Sequence, residues 1–194
     1  MNTVIEEMKE YALSYNVPII TDDGLSFLLD YIRKNHVKKI LEVGAAIGYS
    51  AICMCGADPE VEVTTIERDE KRYLEAVKNI KKAKLEDRID LIYHDALDVS
   101  LEEEYDLIFI DAAKAQNQRF FERFGNNLKD GGTIITDNMN FHGLVYVEET
   151  EIDSRNLRQL VRKVKTYKEF LEENTKYRTK FYDIGDGLAV SVKK

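Results

Sequence analysis

Five short apolar runs, Lys39–Val43, Glu62–Ile66, Ile89–Tyr93, Asp106–Ile110 and Thr133–Thr136, alternate with stretches of helical periodicity at Tyr49–Cys55, Glu70–Ala83 and Asn117–Leu128. No other feature constrains the fold as tightly. Near-continuous apolar strands are buried on both faces, and strand–helix repetition lays consecutive strands parallel with helices on either side. A further helical stretch runs from about Ile152 to Glu173. The tail then changes character: Tyr177–Ile184, Gly185-Asp186-Gly187 and Leu188–Val192 predict an antiparallel hairpin. Two helices precede the strands, Asn2–Tyr15 and Asp22–Lys34. The second has Thr21 or Asp22 as its cap and Leu25, Leu28, Leu29 and Ile32 along one face.

The expected architecture is α/β: a Rossmann-like, doubly wound, seven-stranded mixed sheet with a C-terminal antiparallel hairpin. No repeat, low-complexity tract or linker divides the 194 residues, so residues 1–194 are expected to form one domain, with 1–35 as an N-terminal helical cap. Apolar runs such as Leu107–Ile110 are strand-length, and no membrane span is expected. Met1–Glu10 is acidic and amphipathic, unlike a secretory leader, which leads to the expectation of a cytoplasmic chain. Cys53 and Cys55 lie two apart on a predicted helix and complete neither a disulfide nor a zinc set. The net charge of −8 argues against indiscriminate nucleic-acid binding, yet Arg155 to Lys180 carries nine Lys/Arg against three Glu. A basic face on an acidic body fits a polyanion docked at one place; a solvated face of an amphipathic helix is the alternative.

The most informative stretch is Ile40-Leu41-Glu42-Val43-Gly44-Ala45-Ala46-Ile47-Gly48-Tyr49-Ser50, an apolar strand that enters a glycine turn and then a helix. Small residues let a ligand approach the backbone, and free N–H groups at the turn favour an anion, either a pyrophosphate or an amino-acid carboxylate. The dinucleotide fingerprint has three glycines, whereas Gly44 and Gly48 are spaced G-x-x-x-G, which weakens the pyrophosphate reading. Glu67 closes the second strand where an acidic side chain can accept from both hydroxyls of a ribose. Asp95-Ala96 ends the third strand on the same edge, in reach of an adenine. Together these positions describe a pocket for an adenosine that carries a carboxylate.

The next strand ends in Asp111-Ala112-Ala113-Lys114, and the one after in Asp137-Asn138. Parallel neighbours would bring Asp111, Asp137 and Asn138 together beside the nucleoside pocket. Two carboxylates and an amide oxygen form a hard, all-oxygen set suited to Mg²⁺ or another divalent cation. Lys114, one short turn beyond Asp111, is a candidate to deprotonate an acceptor hydroxyl or to hold the resulting oxyanion. His94 is expected to point away from the ligand by strand alternation, and His142 could reach the acceptor.

As a set these residues resemble the metal-dependent, catechol-type O-methyltransferases of the class I methyltransferase superfamily. The resemblance rests on Leu41-Glu42-Val43-Gly44-x-x-x-Gly48-Tyr49-Ser50-Ala51, Thr65-Ile66-Glu67, Asp111-x-x-Lys114 and Asp137-Asn138. It implies that Glu42, Gly44, Gly48, Tyr49, Ser50, Glu67, Asp95, Ala96 and Asp111 bind S-adenosyl-L-methionine. It also implies that Asp111, Asp137 and Asn138 bind Mg²⁺, with Lys114 as the candidate base, Asp111 also catalytic, and a homodimer as the assembly. Within that family, Ala45–Ala51, Thr65–Arg68, Ile108–Lys114 and Gly185–Ala189 look like the bacterial tRNA 5-hydroxyuridine methyltransferases, with His94 where that branch has glycine. The resemblance then implies a tRNA anticodon loop as substrate, with Arg155, Arg158, Arg162, Lys163 and Lys165 on its phosphates. In 5-hydroxyuracil the hydroxyl lies beside the 4-carbonyl, so the two oxygens can chelate a cation as a catechol does. A wobble base is unpaired and can enter a pocket at modest cost.

Three rivals stand beside this reading. A methyltransferase of small catechol-like phenols would need no basic face. An NAD-dependent oxidoreductase is permitted by Glu67, although the missing third glycine and the Asp111, Asp137 and Asn138 set oppose it. A non-catalytic nucleotide- or RNA-binding module would leave that set without a purpose.

Overall fold

The seven strands form one sheet in the order β3-β2-β1-β4-β5-β7-β6. They are β1 Lys39–Val43, β2 Glu62–Glu67, β3 Ile89–Tyr93, β4 Tyr105–Ile110, β5 Leu128–Thr136, β6 Tyr177–Tyr182 and β7 Leu188–Lys193. The first five are parallel, and β7 runs antiparallel between β5 and β6. The structure, a computed structural model, describes residues 2–194. Among the described residues six α-helices accompany the sheet: α1 Asn2–Tyr15, α2 Asp22–Lys34, α3 Tyr49–Cys55, α4 Glu70–Ala83, α5 Asn117–Phe124 and α6 Arg155–Glu173.

Side chains sort by period two across the sheet, as the pleat requires. Ile40, Leu107 and Phe109 pack with Met8, Leu28, Ile52 and Ile80 from α1 to α4. Leu41, Val43, Ile108 and Ile110 pack on the opposite face with Phe120, Phe121, Tyr167 and Leu171 from α5 and α6. Burying both faces is what makes these strands near-continuously apolar. Helix starts follow local capping: Thr21 Oγ1 accepts from Gly24 N at 3.2 Å, and Asp69 Oδ1 accepts from Arg72 N at 3.0 Å.

Three boundaries differ from expectation by more than two residues. β5 begins at Leu128 because its ladder with β4 is already present at Tyr105↔Leu128, then shifts register before resuming at Leu107↔Thr133. Asn117–Leu128 is helical only to Phe124, where a 3₁₀ turn, Gly125–Asn127, takes over. α6 starts at Arg155 because Ser154 Oγ caps Leu157 N at 3.3 Å, and Glu149–Glu151 forms a separate 3₁₀ turn.

Strand order reverses between β1 and β4, so the loops after these two strands diverge and leave a crevice at their carboxyl ends. Among the described residues no helix is long and apolar enough to cross a membrane.

Candidate active site

A cavity of about 770 Å³ opens at that crevice. Its floor comes from the ends of the parallel strands: Val43-Gly44, Ile66-Glu67, Asp95-Ala96 and Asp111 to Lys114. Pro18 to Thr21 and the hairpin tip Gly185-Asp186 face it from the other side, with Asn138, Asn140, His142 and Tyr146 between.

Gly44 turns the chain at φ 104°, and a β-carbon on it would fall on the backbone carbonyl of Asp111. The ends of β1 and β4 therefore meet closely only because residue 44 is glycine. Ala45 N and Gly44 N both donate to Ile66 O, at 3.1 and 3.0 Å, and Ala46 N donates to Glu67 Oε2 at 2.8 Å. The other oxygen of Glu67 accepts from Arg68 N and Asp69 N at 2.9 and 2.8 Å. Glu67 is thus locked between the glycine turn and α4, with a spare lone pair on Oε2 toward the cavity. Asp95 Oδ1 accepts from Leu97 N at 3.0 Å and Oδ2 from Arg68 Nη1 at 3.2 Å; those contacts hold its carboxyl below the usual range.

Tyr49 and Ser50 reach the cavity wall, but Glu42 and Gly48 do not. Glu42 shares a face with Ile40, toward α3, and is fully buried there. Its carboxyl accepts from Ser50 Oγ and, at 2.5 Å, from Thr65 Oγ1. Burial pushes it up to about 7. Glu42 is therefore a brace behind the pocket rather than part of its wall, and Gly48 serves the turn into α3 at φ 83°.

The parallel register Ile110↔Thr136 sets Asp111 beside Asp137, as expected, and Asp137 N donates to Ile110 O at 3.0 Å. Asp111 lines the cavity. Asp137, 4% exposed, sits one layer deeper, with Oδ1 taken by Asn138 N at 2.6 Å. Lys114 Nζ lies 2.6 Å from Asn138 Oδ1. Burial, and then the charge of a neighbouring carboxylate, holds both aspartates well above the usual carboxylate range, while Lys114 opposes the rise. Among the described residues no group of three or more His, Cys, Asp or Glu gathers at one point. The set is two carboxylates, an amide and an ammonium.

His94 lines the cavity, contrary to the alternation argument, because β3 has ended at Tyr93 and the pleat no longer dictates direction. Of the five basic residues singled out on α6 for RNA contact, two are occupied within the chain. Arg162 donates from Nε and Nη2 to Glu149 Oε2 at 2.8 and 2.6 Å, and Arg158 Nη1 donates to Ile152 O and Asp153 O. These two guanidiniums hold the turn that precedes the helix. No salt bridge among the described residues engages Arg155, Lys163 or Lys165.

Sequence reasoning missed Asn140, Tyr146 and Asp186. Met139 N and Asn140 N donate to Gly187 O and Asp186 O at 2.9 and 2.8 Å, and Tyr146 Oη donates to Asn140 Oδ1 at 2.9 Å. An aspartate between two glycines was the available signal, but it reads equally as a plain hairpin turn.

A nucleoside-sized crevice at the switch point of a 3-2-1-4-5-7-6 sheet defines a class I methyltransferase. The sequence pattern of the O-methyltransferase family matches residues 2–194, and the chain belongs to that family. It is similar to a caffeoyl-CoA O-methyltransferase of Populus kitakamiensis, 29% identical over 190 residues covering 94% of this chain and 80% of the relative. A solved candidate caffeoyl-CoA O-methyltransferase from Staphylococcus aureus is 41% identical, with TM-score 0.94 over 98% of this chain and 92% of that one. An O-methyltransferase from Bacillus cereus, solved with S-adenosylhomocysteine, is 25% identical, with TM-score 0.84 over 99% and 91% of the two chains. The protein is an S-adenosylmethionine-dependent O-methyltransferase.

Proposed function

We propose that this enzyme methylates the 5-hydroxyl of 5-hydroxyuridine at the tRNA wobble position, in the cytoplasm, as a homodimer. In this reading Asp111, Asp137 and Asn138 hold a divalent cation, Mg²⁺ in the first instance. One observation carries it: Asp111, Asn138 and Lys114 meet on the cavity wall, with the buried Asp137 carboxylate directly behind them. The donors fit such a cation. They are all oxygen, they leave positions for water or acceptor oxygens, and their crowded negative charge lacks a sufficient counter-charge.

The N–H groups of Gly44, Ala45 and Ala46 are taken within the chain, so Tyr49 and Ser50 beside that turn would receive the amino-acid end of S-adenosylmethionine. Glu67 would accept from the ribose, and Asp95 and Ala96 would face the adenine. When bound, the cation supplies Lewis-acid stabilisation of negative charge on the acceptor oxygen. Lys114, whose Nζ donates to Asn138 Oδ1, would hold the oxyanion as an ammonium, or take the hydroxyl proton once its own proton has passed to solvent, and the cavity walls would align that oxygen with the sulfonium methyl. Arg155, Lys163 and Lys165 remain for the phosphates beside the splayed base, whereas Arg158 and Arg162 brace their own turn.

The test uses bulk tRNA from cells lacking the protein, incubated with purified enzyme, Mg²⁺ and S-adenosylmethionine, then digested to nucleosides for mass spectrometry. Conversion of 5-hydroxyuridine to 5-methoxyuridine, lost with EDTA and in Asp137→Ala, supports the proposal. Absence of conversion by an enzyme that still binds S-adenosylmethionine overturns the tRNA assignment and leaves small catechol-like phenols as acceptors.

A further inference from the structure

Asp186 sits at the tip of the β6–β7 hairpin with 7% of its side chain exposed. Its Oδ1 accepts from the backbone N of His142 at 2.5 Å, which explains half of the carboxylate. Oδ2 is buried without a hydrogen-bond partner, and the nearest basic atom is His142 Nδ1 at 3.4 Å. An orphaned buried carboxylate oxygen is costly, and native structures keep such an atom where it has a use. The backbone it holds is itself unusual: Phe141, His142 and Gly143 run left-handed at φ 46°, 55° and 79°. Strain of this kind gathers at ligand-binding positions, where the surroundings must impose it.

The imidazole so held is 75% exposed and lines the same cavity as Asn138 and Lys114. The Phe141 ring spans the interval, its centre 5.4 Å from Lys114 Nζ and 5.9 Å from the His142 ring centre. A carboxylate oxygen 3.4 Å from Nδ1 favours the tautomer with its proton on that nitrogen, which makes Nε2 the ring's acceptor.

We infer that His142, positioned by Asp186, selects acceptors with a ring N–H next to the oxygen pair that faces Asp111, Asn138 and Lys114. This inference rests on the 5-hydroxyuridine reading and deepens it. In 5-hydroxyuracil the atom beyond the 4-carbonyl is N3–H, a donor that Nε2 can accept; in a catechol the same position carries a C–H. The pair thus gives a nucleobase a hydrogen bond that a phenol of the same outline cannot make, and leaving Nε2 unpaired is the penalty for the phenol.

Calorimetry on the complex of the enzyme with S-adenosylhomocysteine and Mg²⁺ tests this with three probes: 5-hydroxyuridine, its N3-methyl derivative and catechol. Wild type is expected to bind 5-hydroxyuridine at least tenfold more tightly than the N3-methyl derivative. His142→Ala should bring that ratio close to one while S-adenosylhomocysteine affinity is unchanged. Asp186→Asn should do the same with the imidazole still present, because an amide donates to Nδ1 and moves the ring proton to Nε2. Equal binding of the two nucleosides by wild type, or a ratio that survives both substitutions, overturns this inference alone. If wild type binds and methylates catechol but not 5-hydroxyuridine, the acceptor assignment fails first and takes this inference with it.

Discussion

The backbone carbonyl of Asp111 occupies the space that a β-carbon on Gly44 would need. Gly44→Ala forces apart the ends of β1 and β4 and strains a left-handed residue at once. We expect a loss of about 2–4 kcal/mol in denaturant unfolding and no detectable S-adenosylhomocysteine binding by calorimetry. Retention of normal affinity would show that the close approach is not what shapes the cavity.

Glu42 ties stability to pH. Its folded-state value, about 7, lies above the ordinary 4.5, so the folded protein keeps a proton that the unfolded chain releases between those values. Stability from this group is therefore greatest below pH 4.5, falls as pH rises to 7, and is flat above. Glu42→Gln removes the dependence. Unfolding midpoints should favour the variant increasingly from pH 5 to 8, toward a difference of about 3 kcal/mol. A constant difference across that range would mean that Glu42 stays ionised in the fold.

The crowding of Asp111 and Asp137 predicts an opposition between stability and activity. Asp137→Asn should stabilise the metal-free protein by about 1 kcal/mol, since burial and, after it, the charge of Asp111 disfavour an ionised carboxylate there. With Mg²⁺ bound as proposed, the cation should raise the Tm of the wild type, and the same change should abolish that rise and lower methyl transfer more than about 100-fold. Thermal shift with and without Mg²⁺ checks the first two, and a transfer assay the third.

Charge removal on α6 should divide by role. Arg155→Ala with Lys163→Ala should reduce the salt dependence of tRNA binding, lowering the slope of log affinity against log salt by about 1.5. Arg162→Ala should instead cost about 1 kcal/mol or less of stability and loosen the turn it shares with Glu149, measurable as faster hydrogen exchange there. An unchanged salt slope in the first variant would remove α6 from the RNA surface.

The carboxyl-edge residues were legible in the sequence because a parallel register turns strand ends into neighbours. Once β1, β2, β4 and β5 are recognised, Gly44, Glu67, Asp111 and Asp137 must lie together. Positions that depend on which face a side chain takes were harder. Glu42 belongs to the same run as Gly44, yet the pleat directs it to Ser50 and Thr65 behind the pocket. The start of β5 was hidden because Lys129-Asp130-Gly131-Gly132 has the composition of a turn. Least visible were contacts between distant segments. Nothing local to His142 announces that Asp186 will hold it, and the helical spacing of Arg158 and Arg162 says nothing of the carbonyls and carboxylate they meet.

β7 lies inside the sheet although it follows every other strand in the chain, and the turn before it carries the partners of Met139, Asn140 and His142. During synthesis the five parallel strands have all left the ribosome before Asp186 and Gly187 emerge. Until then, the acceptor-side loop has no partner to hold its left-handed backbone. The acceptor-side loop therefore depends on the C-terminal hairpin: Met139, Asn140 and His142 gain their backbone partners only once Asp186 and Gly187 have docked.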